Sequence, residues 1–119
     1  MKKNNLKDFF KGWFIGDFEP SLLRSPDFEV AVKDYSAGDK ENKHVHKKAV
    51  EFTVVLDGVI SMNDVKYFKN DIITIDKYES TIFKSITDSR TLVIKTPSVK
   101  GDKYIIDETD ITQRQPRKV

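Results

Sequence analysis

Gly38-Asp-Lys-Glu-Asn-Lys-His44-Val-His46-Lys-Lys-Ala-Val-Glu51, running on to Gly58, is the stretch on which the reading of this chain turns. It holds both histidines of the protein, two residues apart. On a strand, residues i and i+2 point to one face, so both imidazoles project into one space. Glu51 follows after a short gap and can return a carboxylate to that space. Two neutral imidazoles and a carboxylate are a common ligand set for Zn, Fe, Mn or Ni. The same residues, flanked by Lys43, Lys47 and Lys48, also fit a pair of surface histidines beside a turn.

Downstream, the alternation predicts a strand from Val50 to Leu56. Glu51, Thr53 and Val55 share one face; Phe52, Val54 and Leu56 share the other. Both faces carry apolar residues, so both need cover. Asp57-Gly58 predicts a hairpin turn into a return strand over Val59–Met62. Further strands are expected at Val65–Phe68 and Ile72–Ile75. Thr81–Ile86 and Thr91–Lys95 are expected to form a hairpin around Thr87-Asp-Ser-Arg90. Tyr104, Ile105 and Ile106 are expected to pack back as an edge strand. Thr109–Val119 is polar and reads as a loose tail.

Upstream, Ser25-Pro26-Asp27 is a turn, and Phe28 to Tyr35 alternates as a strand. Phe28, Val30 and Val32 fall on one face; Glu29, Ala31, Lys33 and Tyr35 fall on the other. Residues 4–11 fit a short helical turn capped by Asn5. Gly12-Trp13-Phe14-Ile15-Gly16-Asp17-Phe18 is too apolar to stand free in water. It is expected to pack over one end of the domain or across a partner subunit, or to line a pocket through Trp13 or Phe14. Short strands at regular spacing, with turn residues between them, make the chain all-β.

The chain has 119 residues, enough for one domain, with eight Phe, four Tyr and one Trp to fill a modest core. A net charge of +2 gives no electrostatic case for nucleic acid or membrane as the main partner. The absence of cysteine excludes disulfides and thiolate sites. No apolar run follows the charged start, and no segment approaches the ~20 apolar residues of a membrane span, so a cytoplasmic protein is expected.

The spacing of Gly38, His44, His46, Glu51 and Gly58 resembles the first sequence motif of the cupins. The resemblance implies a single antiparallel double-sheet jelly-roll barrel holding a divalent metal through His44, His46 and Glu51. Its short N-terminal arm would span residues 1–27, the barrel 28–106 and the tail 107–119. The second motif departs from the pattern. Aligned on Asn70-Asp71-Ile-Ile-Thr-Ile75, its glycine falls on Asn70, its proline and second glycine fall on Asp76 and Tyr78, and its histidine falls on Thr81. Threonine is a poor ligand for soft or borderline metals. Three protein ligands remain, unless Glu79 or a water adds a fourth.

A barrel with His44, His46, Glu51, Thr53, Thr81 and Phe83 facing inward presents a polar spot in apolar walls, the makeup of a small-molecule pocket. Lys33 and Tyr35 reach its mouth if their strand face is the inner one. A bound metal would act as a Lewis acid. Without metal, His44 or His46 can serve as a general base next to a carbonyl, with Tyr35 as the acid, as the resemblance implies for cupin-like sugar-nucleotide epimerases and ketoisomerases. The pocket can also serve binding alone; an oxygenase ranks third, for want of the fourth ligand. The segments Gly12–Pro20 and Lys95–Lys103 are similar to stand-alone cupins associated with surface-polysaccharide gene clusters, which implies a sugar or sugar-nucleotide ligand. A homodimer is expected, because the outer face of Val50–Leu56 and the aromatic arm both need cover.

Overall fold

The structure, a computed structural model, describes residues 1–106 and 117–118. Among the described residues, eleven strands follow two short 3-10 turns at Leu6–Asp8 and Phe10–Gly12. They are β1 (Trp13–Ile15), β2 (Glu29–Tyr35), β3 (His44–Val45), β4 (Val50–Asp57), β5 (Ile60–Met62), β6 (Val65–Tyr67), β7 (Ile72–Ile75), β8 (Phe83–Ser85), β9 (Ser89–Thr96), β10 (Tyr104–Ile105) and β11 (Arg117–Lys118). One layer is the five-stranded sheet β1-β2-β9-β4-β7, antiparallel throughout. Facing it are two three-stranded sheets, β6-β5-β8 and β11-β10-β3. Bridges from Lys40 to Lys84 and from His44 to Thr81 join these two into a second layer. The protein is therefore all-β, a double-sheet antiparallel jelly roll.

Register assigns the faces. Across the five-stranded sheet, Glu29, Lys95, Glu51 and Ile75 form one inward row. Ala31, Val93, Thr53 and Ile73 form the next, followed by Lys33, Thr91 and Val55. Along the inner face of β4 the interior thus changes from apolar at Val55, through Thr53, to the carboxylate of Glu51. The packed core lies at the Val55 end, with Ile60, Met62, Ile75 and Phe83. Each such side chain contributes about 1.5–3 kcal/mol by leaving water. The cavity occupies the Glu51 end.

The outer face carries the rows Val30–Ile94–Phe52–Thr74 and Val32–Leu92–Val54–Ile72. On this face Ile72 (66%) and Leu56 (38%) are exposed, while Val30, Val32, Phe52, Val54, Leu92 and Ile94 are half-buried.

Two expected hairpins are not hairpins. Asp57-Gly58 does not fold β5 back on β4; β4 pairs with β7 and β9, while β5 pairs with β6 and β8. The turn carries the chain from one layer to the other. Gly58 has φ +76°, and a Cβ there would stand 2.1 Å from the Asp88 carbonyl oxygen, so the corner closes only on glycine. Likewise β8 pairs with β5 and not with β9, because Thr87–Arg90 crosses between layers. Turn residues look alike in sequence whether the chain reverses within a sheet or changes sheets. Asn63-Asp64 does close a hairpin, with both residues at positive φ.

The N-terminal arm packs on the barrel. β1 extends the edge of the sheet beside β2, Trp13 opposite Ala31. Gly12 permits this contact, since a Cβ there would overlap the Val32 carbonyl oxygen. Asn5 caps the first turn as expected: its side-chain oxygen accepts from the Lys7 N–H at 3.0 Å. In the tail, Arg117–Lys118 pairs with β10; the rest of the expected loose segment lies outside the described residues.

Candidate functional site

His44 opens β3, and its backbone exchanges both hydrogen bonds with Thr81, at 3.1 and 2.9 Å. That pairing places Thr81 directly opposite His44, both buried. His46 follows two residues on and is 3% exposed. The chain then turns through Lys47, Lys48 and Ala49 to Glu51 on β4. This turn is held from far away in sequence. The buried Asp102 carboxylate accepts from the backbone N–H groups of Lys47 (3.0 Å), Lys48 (3.0 Å to one oxygen) and Ala49 (2.9 Å). Charge-assisted bonds of this kind are among the stronger ones.

The Asp102 backbone also fixes His46. Its carbonyl oxygen lies against the His46 Nδ1. The Asn42 carbonyl lies 3.0 Å from the His44 Nδ1. A carbonyl only accepts, so each ring carries a proton on Nδ1, which leaves Nε2 as the atom that can present a lone pair. The His46 Nε2 is buried with no hydrogen-bond partner. It stands 3.5 Å from Glu51 Oε1. The Glu51 Oε2 accepts from the Thr53 hydroxyl at 2.9 Å. Burial pushes the Glu51 carboxyl up, but the His46 ring, the Lys95 ammonium and the Thr53 hydroxyl pull it down further, so it rests below its ordinary value. Burial, partly offset by the Asn42 carbonyl, holds His44 below its ordinary value and so neutral.

With a proton on Nε2 the His46 ring and Glu51 form an ion pair across 3.5 Å; without it, two electron-rich atoms face each other and a cation between them would take the proton's place. The donor set fits a divalent transition metal in this respect. The His44 and His46 ring centroids are 5.3 Å apart, inclined at 74°. Two imidazoles on one tetrahedral ion at ~2.1 Å would place their centroids about 5 Å apart. Among the described residues, no three His, Cys, Asp or Glu side chains are already closed around one point tightly enough to hold a metal. What stands assembled is the His46–Glu51 pair, with the His44 ring beside it. Glu79 does not supply a further ligand: it is exposed, and its carboxylate accepts from the Asp76 N–H at 3.1 Å, closing its own turn.

Two cavities meet here. One, of about 270 Å³, is lined by His44, Glu51, Thr53, Thr81, Phe83, Tyr35 and Lys33 among others. A second, of about 530 Å³, is lined by His46, Ala49, Asp102, Phe18 and Pro20. Phe10, Trp13, Lys95 and Lys103 border both. The His46–Glu51 pair therefore spans the wall between them. Seven of the eight candidate side chains surround the first cavity, and His46 reaches the pair from the second. Trp13 of the arm lines both; Phe14 lines neither.

Tyr35 stacks on Phe83 at 4.6 Å between centroids and donates its hydroxyl to Glu41 at 3.3 Å. Burial first, then the Glu41 charge, pushes its phenol well above its ordinary value, so it keeps its proton. It is a hydrogen-bond donor here and a weaker acid than an exposed tyrosine.

Sequence reasoning missed Glu41, Lys95, Lys103 and Asp102. Glu41 sits in the variable spacer between Gly38 and His44. Lys95 was detectable, because it continues the inward alternation of Thr91 and Val93. Asp102 carried no local signal, since its partners lie more than fifty residues away.

No family model matches the sequence, and no curated protein matches it by sequence. Solved structures do resemble the fold. An uncharacterised double-stranded β-helix protein from Klebsiella pneumoniae aligns with TM-score 0.61 and 16% identity over 73% of this chain and 81% of that one. KdgF from a Halomonas species aligns with TM-score 0.58 and 14% identity over 64% and 74%. The bacterial pirin YhhW from Escherichia coli, solved in complex with nickel(II), aligns with TM-score 0.63 and 19% identity over 74% of this chain and 39% of that one. At such identities the likeness concerns architecture, and together with the observed topology it shows that the chain has the cupin, or double-stranded β-helix, fold.

Proposed function

We propose that this protein binds a divalent transition metal through His46, Glu51 and His44, and a small sugar-related ligand in the cavity beside them. The observation that carries this reading is the buried, unpartnered His46 Nε2 set 3.5 Å from Glu51. A structural histidine would have both nitrogens satisfied. The nickel in a structurally similar protein supports the same reading. When bound, the metal would polarise a substrate oxygen as a Lewis acid.

The chain's own residues supply the rest. With no metal on it, His44 is neutral, and its Nε2 lone pair is then the group able to take a proton from a carbon next to a carbonyl; with the metal bound, that lone pair would be a ligand and not a base. Tyr35, with its hydroxyl committed to Glu41, positions substrate oxygens instead of releasing a proton. Phe83 and Trp13 exclude water from the cavity walls. An isomerase or epimerase follows from this assignment, and a non-catalytic binding module is the alternative. Thr81 in place of a fourth nitrogen donor disfavours an oxygenase.

Titration of chelator-treated protein with nickel or zinc tests the metal. Stoichiometric binding that His46→Ala abolishes is expected; wild-type protein that takes up neither ion would overturn the assignment. Solvent-deuterium exchange into a keto-sugar nucleotide separates isomerase from binding module. We also propose a homodimer through the outer rows of the five-stranded sheet, where Ile72 is exposed and Phe52, Val54 and Leu92 are half-buried. Sedimentation at micromolar concentration should show two chains per particle, and a monomer would refute it.

A further inference from the structure

We propose that the ligand of the smaller cavity is a compact organic anion, a carboxylate or phosphate ester no larger than a monosaccharide, whose charged group sits between Lys33 and Lys95 over the Trp13 ring. The inference rests on the reading of this cavity as a small-ligand site, and it names the class of ligand.

The first observation is the placement of charge. Lys33 and Lys95 both point inward, from β2 and β9. Their ammonium groups lie 5.3 and 5.1 Å from the centroid of the same indole. Two cations gathered on one ring repel each other, and the cation–π attraction of each, about 0.5–2 kcal/mol, offsets this only in part. Lys95 stands between two carboxylates of its own row, Glu29 at 3.9 Å and Glu51 opposite it on β4, so Lys33 is the less matched of the two cations. Lys33 is half-buried, and among the described residues no carboxylate lies within 4.0 Å of it. Glu41, lining the same cavity, is the carboxylate that offsets its charge from beyond ion-pair distance, and a half-buried ammonium so weakly matched, facing a second one, is a costly arrangement for the empty protein. An anion placed between them removes that cost.

The second observation is size. The cavity measures about 270 Å³, just under the ~300–1,000 Å³ that holds drug-sized ligands. A sugar acid or sugar phosphate fits inside it, whereas the nucleotide part of a sugar nucleotide would extend beyond it, toward the second cavity or solvent. The third is polarity along the cavity. Lys33 and Lys95 stand at the Trp13 side, while His44, Glu51 and Thr81 line the same cavity. A ligand with an anionic group at one end and hydroxyl or carbonyl oxygens at the other matches that order.

Trp13 is the only tryptophan of the chain, so its fluorescence reports on this cavity directly. Metal-loaded protein would be titrated with glucuronate, glucose 6-phosphate and neutral glucose, in wild type, Lys33→Met, Lys95→Met and the charge-preserving Lys33→Arg. At least one anion should change the Trp13 signal saturably, at least tenfold more tightly than glucose. Lys33→Met and Lys95→Met should each weaken it about tenfold, with Lys33→Arg recovering most of the loss. Preference for glucuronate or for glucose 6-phosphate tells carboxylate from phosphate. Circular dichroism confirms that each variant is folded. Glucose binding as tightly as both anions, unchanged anion binding in both methionine variants, or no binding of either anion would overturn the proposal. Nickel titration of the same samples keeps the two readings apart. Anion binding without nickel uptake would sink the metal and leave the anion site; nickel uptake without anion preference would do the reverse.

Discussion

The two halves of the site contribute different things. The segment from Gly38 to Gly58 keeps its donor side chains: His44, His46 and Glu51 come to one region of the interior. The segment from Asn70 to Thr81 brings no such donor and contributes backbone. Asn70, where the motif has glycine, has φ +76°, and Tyr78, at the second glycine place, has φ +65°. The Asn70 N–H reaches the Val55 carbonyl at 2.8 Å, and the Tyr78 N–H reaches the His46 carbonyl at 2.7 Å. Thr81 still pairs with His44. The geometry of the barrel and the chemistry inside it are thus separable, because backbone bonds hold the first and side chains supply the second.

The largest expected effect attacks what holds the donor half together. Asp102→Ala leaves three backbone N–H groups without their acceptor, one of them at the buried Ala49. The cost should be on the order of 3 kcal/mol. For a domain of this length that lowers the melting temperature by about 10 °C. Nickel affinity should fall ~10–100-fold, the usual price of an outer partner, since the Asp102 carbonyl that orients His46 moves with the loop. An unchanged melting temperature would mean that the turn holds itself.

Glu51→Gln separates chemistry from fold more sharply. The amide keeps the shape and can still accept from Thr53, and its NH₂ can donate to the orphaned His46 Nε2. Metal affinity should fall on the order of 100-fold or more, beyond the loss of an outer partner. The metal-free variant should gain about 1 kcal/mol, or roughly 4 °C, from the new bond. The sign decides. If the metal-free variant melts below wild type, the pair is a structural ion pair with His46 protonated. His46→Ala cannot make this distinction. The ring is 3% exposed and bonded to Asp102, so its removal leaves a void and an unsatisfied carbonyl.

What sequence reading could reach follows the same division. The donor half was legible because its residues lie within fourteen positions and repeat a strand period. The inward face of β2, with Lys33 and Tyr35, followed from alternation alone. Layer changes were not legible: Asp57-Gly58 and Thr87–Arg90 carry hairpin residues, yet their strands find partners elsewhere. Nor was Asp102, since a carboxylate that caps a turn fifty residues upstream leaves no periodic trace. Long-range pairing is set by which apolar rows meet, and that information is spread over the whole chain.

Thr81→His would return the missing donor to a backbone that still suits it. Thr81 is 5% exposed, opposite His44, with the 270 Å³ cavity in front of it. If the second half lacks only a side chain, nickel should bind about tenfold more tightly, worth ~1.4 kcal/mol. A folded variant with wild-type affinity would mean that the backbone no longer aims position 81 at the metal.

Tyr78→Gly has the smallest effect and tests the backbone half alone. A non-glycine residue in the left-handed region costs about 1–2 kcal/mol. Glycine relieves that strain but loses more chain entropy on folding, by roughly 0.5–1 kcal/mol. Tyr78 is 69% exposed, so little packing is lost with the ring. The balance should favour the variant by about 0.5–1 kcal/mol, a rise of a few degrees. Metal affinity should stay within twofold, because the Tyr78 N–H that bonds to the His46 carbonyl is kept. Asn70→Gly should gain less, since asparagine tolerates positive φ far better than tyrosine does. A fall in stability at Tyr78→Gly would show that the ring contributes something its exposure conceals, such as contact with a second copy of the chain. Sedimentation of the same variant would then reveal a shift toward monomer.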